Sequence, residues 1–314
     1  MRKRSYGEIM KRSMAVKIGR LKLKNPVMVA SGTFGEEYAD LTDIHGLGAL
    51  VAKTVTIKAR LGNPPPRLVE TPAGMLNSIG LENKGVHYFV KHTLPALNRF
   101  RLPIIASVSG DDEHEFKELT KALHKRRGIG AIELNLSCPN IKHRSREDLI
   151  AQDAEATYKV VSEVRRVTTI PVIAKLSPNV ADITKIAMSA QDAGADAITL
   201  VNTFYGMSVD IETKRPRLGN VRGGLSGPAI KPLAIRMVWE TYKKVKIPII
   251  GVGGIMDYRD AIEFILCGAS AIQVGTANFV NPNAAVDIIR GIEGYLIEHK
   301  IRDINKLIGT LKAG

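Results

Sequence analysis

Eight short apolar runs recur along the chain and set its predicted architecture. Each run has the length of a strand, is nearly continuous in apolar residues and mostly contains β-branched side chains. Strands that are apolar on both faces are covered on both faces, which is typical of a parallel sheet. The runs span residues 25–31, 49–54, 103–109, 131–137, 171–177, 197–203, 248–254 and 271–277.

Segments with a helical pattern lie between most of these runs. Several end at glycine after a basic or small residue, as helix carboxyl termini do. The segments are 40–48, 115–128, 156–168, 183–194, 234–245 and 257–268. Eight strands that alternate with helices predict an α/β protein with a (β/α)8 TIM barrel, and an open doubly wound sheet is the alternative.

Three further features complete the predicted domain. Residues 15–25 alternate between apolar and polar around Gly19, which predicts an N-terminal β-hairpin that closes the opposite end of the barrel. Two long intervals between strands predict inserted loops, at about 55–100 and 204–230, on the C-terminal rim that carries function in such barrels. We see no linker or short repeat, so residues 1–314 are expected to form a single domain in which residues 1–13 are a basic N-terminal extension.

The composition of the 314 residues narrows the class of protein. With 45% hydrophobic and 24% charged residues, the chain matches an ordinary globular protein rather than a disordered or collagen-like one. Its two cysteines, Cys138 and Cys267, cannot supply the four ligands of an iron–sulfur cluster or a structural zinc, and the seven histidines lack metal-ligand spacing. We therefore expect no metal site in this chain. No apolar run approaches 18 residues, so a cytoplasmic protein is expected.

The net charge of +14 is the compositional feature that points to a binding partner. An excess of Lys and Arg suits nucleic acid, a membrane surface or an acidic partner. Aromatic residues make up only 5% of the chain and do not interleave with the basic ones, so a module that stacks nucleic-acid bases is not indicated. We interpret the charge as a solvated surface. A nucleic-acid binder without enzymatic activity is the alternative, and it rests on charge alone.

Polar residues and glycines stand at the predicted carboxyl ends of the strands. Because unpaired polar groups near a core cost about 1 to 3 kcal/mol each, such a rim is expected to contact a polar ligand. The residues are Ser31, Lys53, Ser107, Asn135, Cys138, Lys175, Asn202, Gly253, Gly254, Gly275 and Thr276.

The last two predicted strands end in glycine motifs, GVGGI at 251–255 and VGTA at 274–277. Glycines there let backbone amides approach an anion, and the loops after strands seven and eight form the usual phosphate site of such barrels. The alternative is that these glycines only form tight turns. A Rossmann site is excluded because Met256 occupies the position of the third glycine. The motifs therefore predict a cofactor with a phosphate tail.

A series of longer motifs carries a resemblance to a known family. The motifs are ASGTFG (30–35), AKT (52–54), RLGNPPPR (60–67), NSIGLENKG (77–85), NLSCPN (135–140), KLSPN (175–179), VNT (201–203) and GGLSGPAIKPLA (223–234), followed by GVGGI and VGTA. In this order, over about residues 15–290, the chain resembles the class 1 dihydroorotate dehydrogenases. ASGTFG and NSIGLENKG are similar to the class 1B branch.

This resemblance implies an FMN cofactor, a substrate and a general base. The FMN phosphate would lie on Gly253, Gly254, Gly275 and Thr276, and the flavin would contact Ser31, Lys53, Thr54, Asn135, Lys175, Val201 and Gly227. Dihydroorotate would contact Lys53, Asn77, Ser78, Ile79, Gly80, Leu81, Asn135, Asn202 and Thr203. Cys138 would be the general base.

The class 1B branch also implies a pathway and partners. Its members oxidise (S)-dihydroorotate to orotate in de novo pyrimidine (UMP) biosynthesis. They pass electrons to NAD through a second subunit that carries FAD and a [2Fe-2S] cluster, and a homodimer core flanked by two such subunits is expected. The alternatives are a fumarate-dependent class 1A enzyme, a tRNA dihydrouridine synthase-like flavoprotein and a dihydropyrimidine dehydrogenase module. We expect neither a membrane nor a nucleic-acid partner.

The chemistry of this reaction accounts for the residue types. Oxidation of dihydroorotate removes a proton from C5 and a hydride from C6, so the base must lie on the ring face away from the flavin. A thiol with an ordinary pKa of about 8.5 can do this once nearby positive charge favours its ionisation. Lys53 can serve both the substrate carboxylate and the flavin, and Lys175 would stabilise the negative charge of the reduced flavin.

We make separate predictions for two residues and one loop that lie outside this set of site residues. Ser107 stands where class 1B members more often have asparagine, so it is not included among the site residues. The loop at 141–147 is basic and lacks the usual glycine-rich stretch, which disfavours closure of a lid and suits collection of an anionic substrate. Cys267 lies in a helical segment and is expected to be buried and inert.

Overall fold

The computed structural model describes residues 12–35, 41–136 and 150–312. Within these ranges the chain forms sixteen strands: β1 (Val16–Ile18), β2 (Leu21–Leu23), β3 (Val27–Val29), β4 (Ala49–Val51), β5 (Leu68–Thr71), β6 (Gly74–Asn77), β7 (Ile104–Val108), β8 (Ile129–Asn135), β9 (Val172–Lys175), β10 (Ala197–Leu200), β11 (Phe204–Met207), β12 (Val209–Asp210), β13 (Arg215–Pro216), β14 (Arg222–Ser226), β15 (Ile249–Val252) and β16 (Ala269–Val274).

The same ranges contain nine α-helices: α1 (Gly85–Tyr88), α2 (Leu94–Asn98), α3 (Glu113–Leu123), α4 (Ala154–Arg165), α5 (Ile183–Asp192), α6 (Lys231–Tyr242), α7 (Tyr258–Leu266), α8 (Ala277–Val280) and α9 (Ala284–Glu298). A π-helical turn, Phe89–Thr93, joins α1 to α2. No helix in the described part of the chain has both the length and the apolar character needed to cross a membrane.

Eight parallel strands close into a barrel in which spatial neighbours also follow one another along the chain. The strands are β3, β4, β7, β8, β9, β10, β15 and β16, and β16 pairs with β3 through Ile272 beside Val27 and Val274 beside Val29. Each of the eight predicted runs contributes one of these strands. The predicted (β/α)8 TIM barrel is therefore confirmed, and closure of the sheet excludes the open doubly wound alternative.

Five of the six predicted helices form, as α3 to α7, and the prediction at 40–48 is wrong. Among the described residues of that segment only a 3-10 turn forms, Ile44–Gly46, and Leu47 is already extended, with ψ 151°. Gly48 then packs so closely against the barrel that a Cβ atom there would collide with the carbonyl oxygen of Asn25. Because of this close packing the chain enters β4 directly after Gly48, and too few residues remain before it to form a helix.

The predicted N-terminal hairpin is also confirmed. Strands β1 and β2 pair antiparallel, and the side chains of Val16, Ile18 and Leu23 are buried. The hairpin lies at the amino ends of the barrel strands, since the Leu21 side chain packs against Gly130 near the start of β8. The opposite end of the barrel is therefore left for the site.

The two insertions on the carboxyl-terminal rim form a second sheet that the sequence analysis treated as loops. Its four antiparallel strands have the order β11, β14, β6, β5, so the two insertions pair through β14 and β6. Val69, Leu76 and Leu218 form a small core of its own. At the junction Gly227 has φ 95°, and a Cβ atom there would lie 2.7 Å from the Cα atom of Gly74, so only glycine fits. This sheet forms one wall above the barrel.

Candidate active site

One cavity of about 400 Å³ opens at the carboxyl ends of the barrel strands, where the functional rim of such barrels lies. Strand ends and both insertions contribute to it. The predicted site residues that line it are Ser31, Lys53, Thr54, Asn77, Ile79, Gly80, Leu81, Asn135, Lys175, Val201, Asn202, Thr203, Gly227, Gly253, Gly254, Gly275 and Thr276. Residues up to 245 positions apart in the chain are therefore brought together in one place.

Two predicted site residues are not among those that line the cavity. Ser78 is fully buried, and its hydroxyl group accepts a hydrogen bond from Nδ2 of Asn63 at 2.9 Å. Its side chain lies away from the cavity because successive residues of an extended segment point to opposite sides, and Asn77 takes the cavity side. Cys138 lies outside the described residues, so its role stays a prediction.

The two glycine motifs lie side by side, because β15 pairs with β16, and both line the cavity. Gly253 and Gly254 have φ 130° and 75°, and a Cβ atom on Gly254 would lie 2.8 Å from Cβ of Lys231. The turn therefore requires glycine for its own geometry. In the part of the chain that the structure describes, the amides of Gly253, Gly254, Gly275 and Thr276 donate no hydrogen bond to another residue. Four such donors on neighbouring residues that line the cavity suit an anionic group such as a phosphate.

The helix that follows the first glycine motif fixes this turn. Asp257 and Asp260 form a capping box at the start of α7, and Oδ2 of Asp260 also accepts a hydrogen bond from the amide of Met256 at 2.8 Å. Nζ of Lys231 donates to Oδ1 of Asp260 at 2.6 Å. Burial acts to raise the pKa of Asp260, but these hydrogen bonds outweigh it and hold that pKa below its usual value. The turn is thereby anchored by an ionised carboxylate.

A network of hydroxyl and amide groups contributes to the wall of the cavity. Oγ1 of Thr54 lies 3.0 Å from the hydroxyl of Ser31 and 2.9 Å from that of Ser107, and it accepts a hydrogen bond from Nδ2 of Asn135 at 3.2 Å. Asn202 in turn donates to Oδ1 of Asn135 at 3.2 Å. Ser107 is fully buried behind Thr54 and does not line the cavity. Because these groups hold one another, Asn135 and Asn202 have fixed orientations towards a ligand.

The two lysines of the cavity have different surroundings. Lys53 is exposed, lines this cavity and an adjoining one of about 610 Å³, and has no hydrogen-bond or ion-pair partner among the described residues. Lys175 is 7% exposed, and its Nζ atom lies 3.8 Å from Oε1 of Glu133, a fully buried carboxyl group inside the barrel. The ammonium group of Lys53 is therefore available to a ligand that enters the cavity. The ammonium group of Lys175 is fixed in the floor of the site.

Three residues that were not predicted as site residues stabilise the segments around the cavity through side-chain contacts. Asn83 donates from Nδ2 to the carbonyl oxygen of Leu81 at 2.8 Å and fixes Leu81 in a left-handed conformation, with φ 54°. Arg67 binds the carboxylate of Glu82. Asn179 donates to the carbonyl oxygen of Thr203 at 3.1 Å. All three stand in the quoted motifs, so membership of a motif was the signal that could have identified them.

Two further observations bear on the chemistry of the site. Burial raises the pKa of the Cys267 thiol, and the charge of Glu263 acts in the same direction, so this thiol ionises less readily than an ordinary cysteine. Ser226 lines the cavity, and its hydroxyl group accepts a hydrogen bond from Oγ1 of Thr276 at 2.7 Å, beside the glycine turns.

No group of three or more His, Cys, Asp or Glu residues suited to a metal ion occurs within residues 12–35, 41–136 and 150–312.

Comparison with known sequences decides the family. The model of the family described as "Dihydroorotate dehydrogenase" matches residues 13–296. The chain belongs to the dihydroorotate dehydrogenase family. This match includes every barrel strand and every residue of the cavity named above. Membership makes the chain an oxidoreductase of a flavin-dependent family, as the sequence motifs implied.

Curated relatives share about half of their residues with this dihydroorotate dehydrogenase family member. A protein of Desulforudis audaxviator (strain MP104C) is 54% identical over 303 residues, which cover 96% of this chain and 98% of that protein. Relatives from Desulforamulus reducens and Caldicellulosiruptor bescii are each 51% identical, over 96% and 95% of this chain and 99% of each relative. All three are named "Dihydroorotate dehydrogenase B (NAD(+)), catalytic subunit".

Proposed function

We propose that this chain oxidises (S)-dihydroorotate to orotate in de novo pyrimidine (UMP) biosynthesis, with FMN as the hydride acceptor and Cys138 as the general base. The observation that carries the proposal is the composition of one cavity in a member of this family. It is lined by four backbone amides without a hydrogen-bond partner among the described residues, and by two asparagines and an exposed lysine whose side chains suit a small cyclic acid.

The residues of the cavity fit FMN. The amides of Gly253, Gly254, Gly275 and Thr276 would hold its phosphate, and the fixed cation of Lys175 suits the end of the ring that becomes negative on reduction. Ser31, Lys53, Thr54, Asn135, Val201 and Gly227 would contact the remainder of the flavin. When bound, FMN supplies a site that accepts the hydride from C6 of the substrate.

The chain's own groups would bind and orient dihydroorotate. Lys53 would pair with the substrate carboxylate, and the amide groups of Asn77, Asn135 and Asn202 offer donors and acceptors that match the imide-like edge of the pyrimidine ring. The segment from Asn77 to Leu81, together with Thr203, would close the site against water. Cys138, three residues after Asn135 in the sequence, would take the proton from C5.

We further propose that electrons leave through a second subunit that carries FAD and a [2Fe-2S] cluster and reduces NAD. Three relatives at 51 to 54% identity carry "B (NAD(+))" and "catalytic subunit" in their names, which supports this arrangement. The two cysteines of the chain cannot ligate a cluster themselves. The same names disfavour a fumarate-dependent enzyme and a tRNA-reducing flavoprotein.

The test is a half-reaction measured without oxygen. The flavin-loaded chain is mixed with dihydroorotate, and the visible absorbance of the oxidised flavin and the orotate formed are followed together. We expect loss of the absorbance with one orotate formed per flavin, and little further turnover with NAD alone or with fumarate. Bound flavin that stays oxidised would reject the proposed substrate. Sustained turnover with fumarate alone would replace the NAD-linked acceptor with the class 1A type.

A further inference from the structure

A polar cluster lies inside the barrel, directly below the candidate site. Glu133 on β8, Thr199 on β10 and Gln273 on β16 are all fully buried, and each lies on a strand of mostly apolar residues. Barrel interiors are normally filled by bulky apolar side chains, and a buried carboxyl group is costly unless it is paired. Packing of the barrel therefore does not explain why these polar side chains are buried there.

The two carboxyl oxygens of Glu133 have different surroundings. Oε2 accepts from Oγ1 of Thr199 at 3.0 Å and from Nε2 of Gln273 at 2.7 Å. Oε1 is buried, makes no hydrogen bond within the described ranges, and lies 3.8 Å from Nζ of Lys175. Two donors on one oxygen suit an ionised carboxylate, which only accepts. Thr199 and Gln273 thus orient the carboxylate so that its other oxygen faces the lysine.

We propose that Glu133 is a positioning residue that holds the ammonium group of Lys175 in the floor of the site and balances its charge. This inference rests on the proposed function, because it concerns the flavin that Lys175 would contact. Reduction places negative charge on the flavin, and a cation attracts this charge less strongly when a carboxylate lies beside it. Glu133 therefore limits how far the site favours the reduced flavin.

This balance matters because the flavin must both accept and release electrons. Without the charge of Glu133 beside Lys175, the site would favour reduction by the substrate more strongly and oppose transfer to the next carrier. Glu133→Gln removes the charge, keeps the shape of the side chain and retains an oxygen for Thr199 or Gln273. The variant is expected to accelerate flavin reduction by dihydroorotate and to slow reoxidation, an opposite effect on two half-reactions that loss of packing does not produce.

The experiment measures the affinity of the apoprotein for oxidised and reduced FMN and, independently, the midpoint potential of the bound flavin. In Glu133→Gln the ratio of the dissociation constants, oxidised over reduced, is expected to rise about tenfold. For a two-electron couple this corresponds to a potential higher by about 30 mV. Thr199→Val is the matched control, since it removes one hydrogen bond from the same carboxylate and leaves the charge in place. We expect its ratio to equal that of the wild type.

Further variants test whether the effect of Glu133 passes through Lys175. In a Lys175→Met background, Glu133→Gln is expected to produce a much smaller change, because most of its effect passes through the lysine. If Glu133→Gln does not fold, Glu133→Asp, which moves the carboxylate away from Lys175, is expected to raise the ratio above that of Thr199→Val. An unchanged or lower ratio, or an equal rise in Thr199→Val, would overturn the role of Glu133. Failure of the wild type to bind FMN, or to be reduced by dihydroorotate, would reject the proposed function instead.

Discussion

Replacement of Cys138 by alanine is expected to slow the reduction of bound flavin by dihydroorotate about 10³- to 10⁴-fold, the upper part of the range for loss of a general base. Without the thiolate no group is assigned to take the proton from C5, and the hydride cannot leave C6 without charge accumulating on the ring. Flavin content should be unchanged, because Cys138 is not among the residues proposed to hold FMN. Rapid mixing without oxygen measures the rate directly.

The second cysteine supplies the control for this experiment. Cys267→Ser changes a thiol that is buried away from the cavity and whose pKa is raised by burial, so the reduction rate should stay at the wild-type value. Cys138→Ser, with a less acidic hydroxyl group, should give a rate between those of the wild type and Cys138→Ala at high pH. An undiminished rate in Cys138→Ala would remove the assigned base and leave the rest of the site intact.

Replacement of Lys53 by methionine is expected to lower kcat/KM for dihydroorotate about 30- to 150-fold. Methionine keeps most of the length of the side chain but removes the charge, which lies at a cavity wall without a protein partner among the described residues. Charge-assisted hydrogen bonds to a carboxylate contribute about 2 to 3 kcal/mol, which gives this range. Steady-state kinetics with an artificial electron acceptor, over a range of dihydroorotate concentrations, provide the measurement.

Lys58→Met is the matched control, because Lys58 is exposed on the same loop and lines neither cavity. It should leave kcat/KM close to the wild-type value, whereas general loss of positive charge would lower it in both variants. Equal effects of the two substitutions would show that Lys53 acts only through the overall charge of the chain, and its proposed pairing with the substrate would then be withdrawn.

The sequence predicted the barrel because its strands are local signals. Each is a short run apolar on both faces, and a parallel barrel pairs consecutive runs, so no distant partner has to be identified. The second sheet was missed for the opposite reason. β6 and β14 are partly exposed, and they join two insertions that are 145 residues apart from Asn77 to Arg222, so no local pattern identifies their pairing. The helix predicted at 40–48 fails because the close packing of Gly48 is a tertiary constraint.

The candidate site was predictable to the extent that it lies at strand ends. A barrel brings the carboxyl ends of all its strands to one rim, so polar residues there converge whatever their separation in the chain. The supporting residues were not predictable in this way. Glu133 stands in a run that is buried on both faces, and sequence alone does not say whether its side chain points into the barrel. Asn83 acts through the carbonyl oxygen of Leu81, a contact that depends on the folded loop.

A crystal structure of the chain with FMN and orotate tests the proposed site most directly. We predict that the FMN phosphate accepts hydrogen bonds from the amides of Gly253, Gly254, Gly275 and Thr276. We also predict that orotate lies between the flavin ring and the sulfur of Cys138, with its carboxylate at Lys53. A phosphate bound elsewhere, or a cysteine sulfur on the same side of orotate as the flavin, would contradict the proposed arrangement of cofactor, substrate and base.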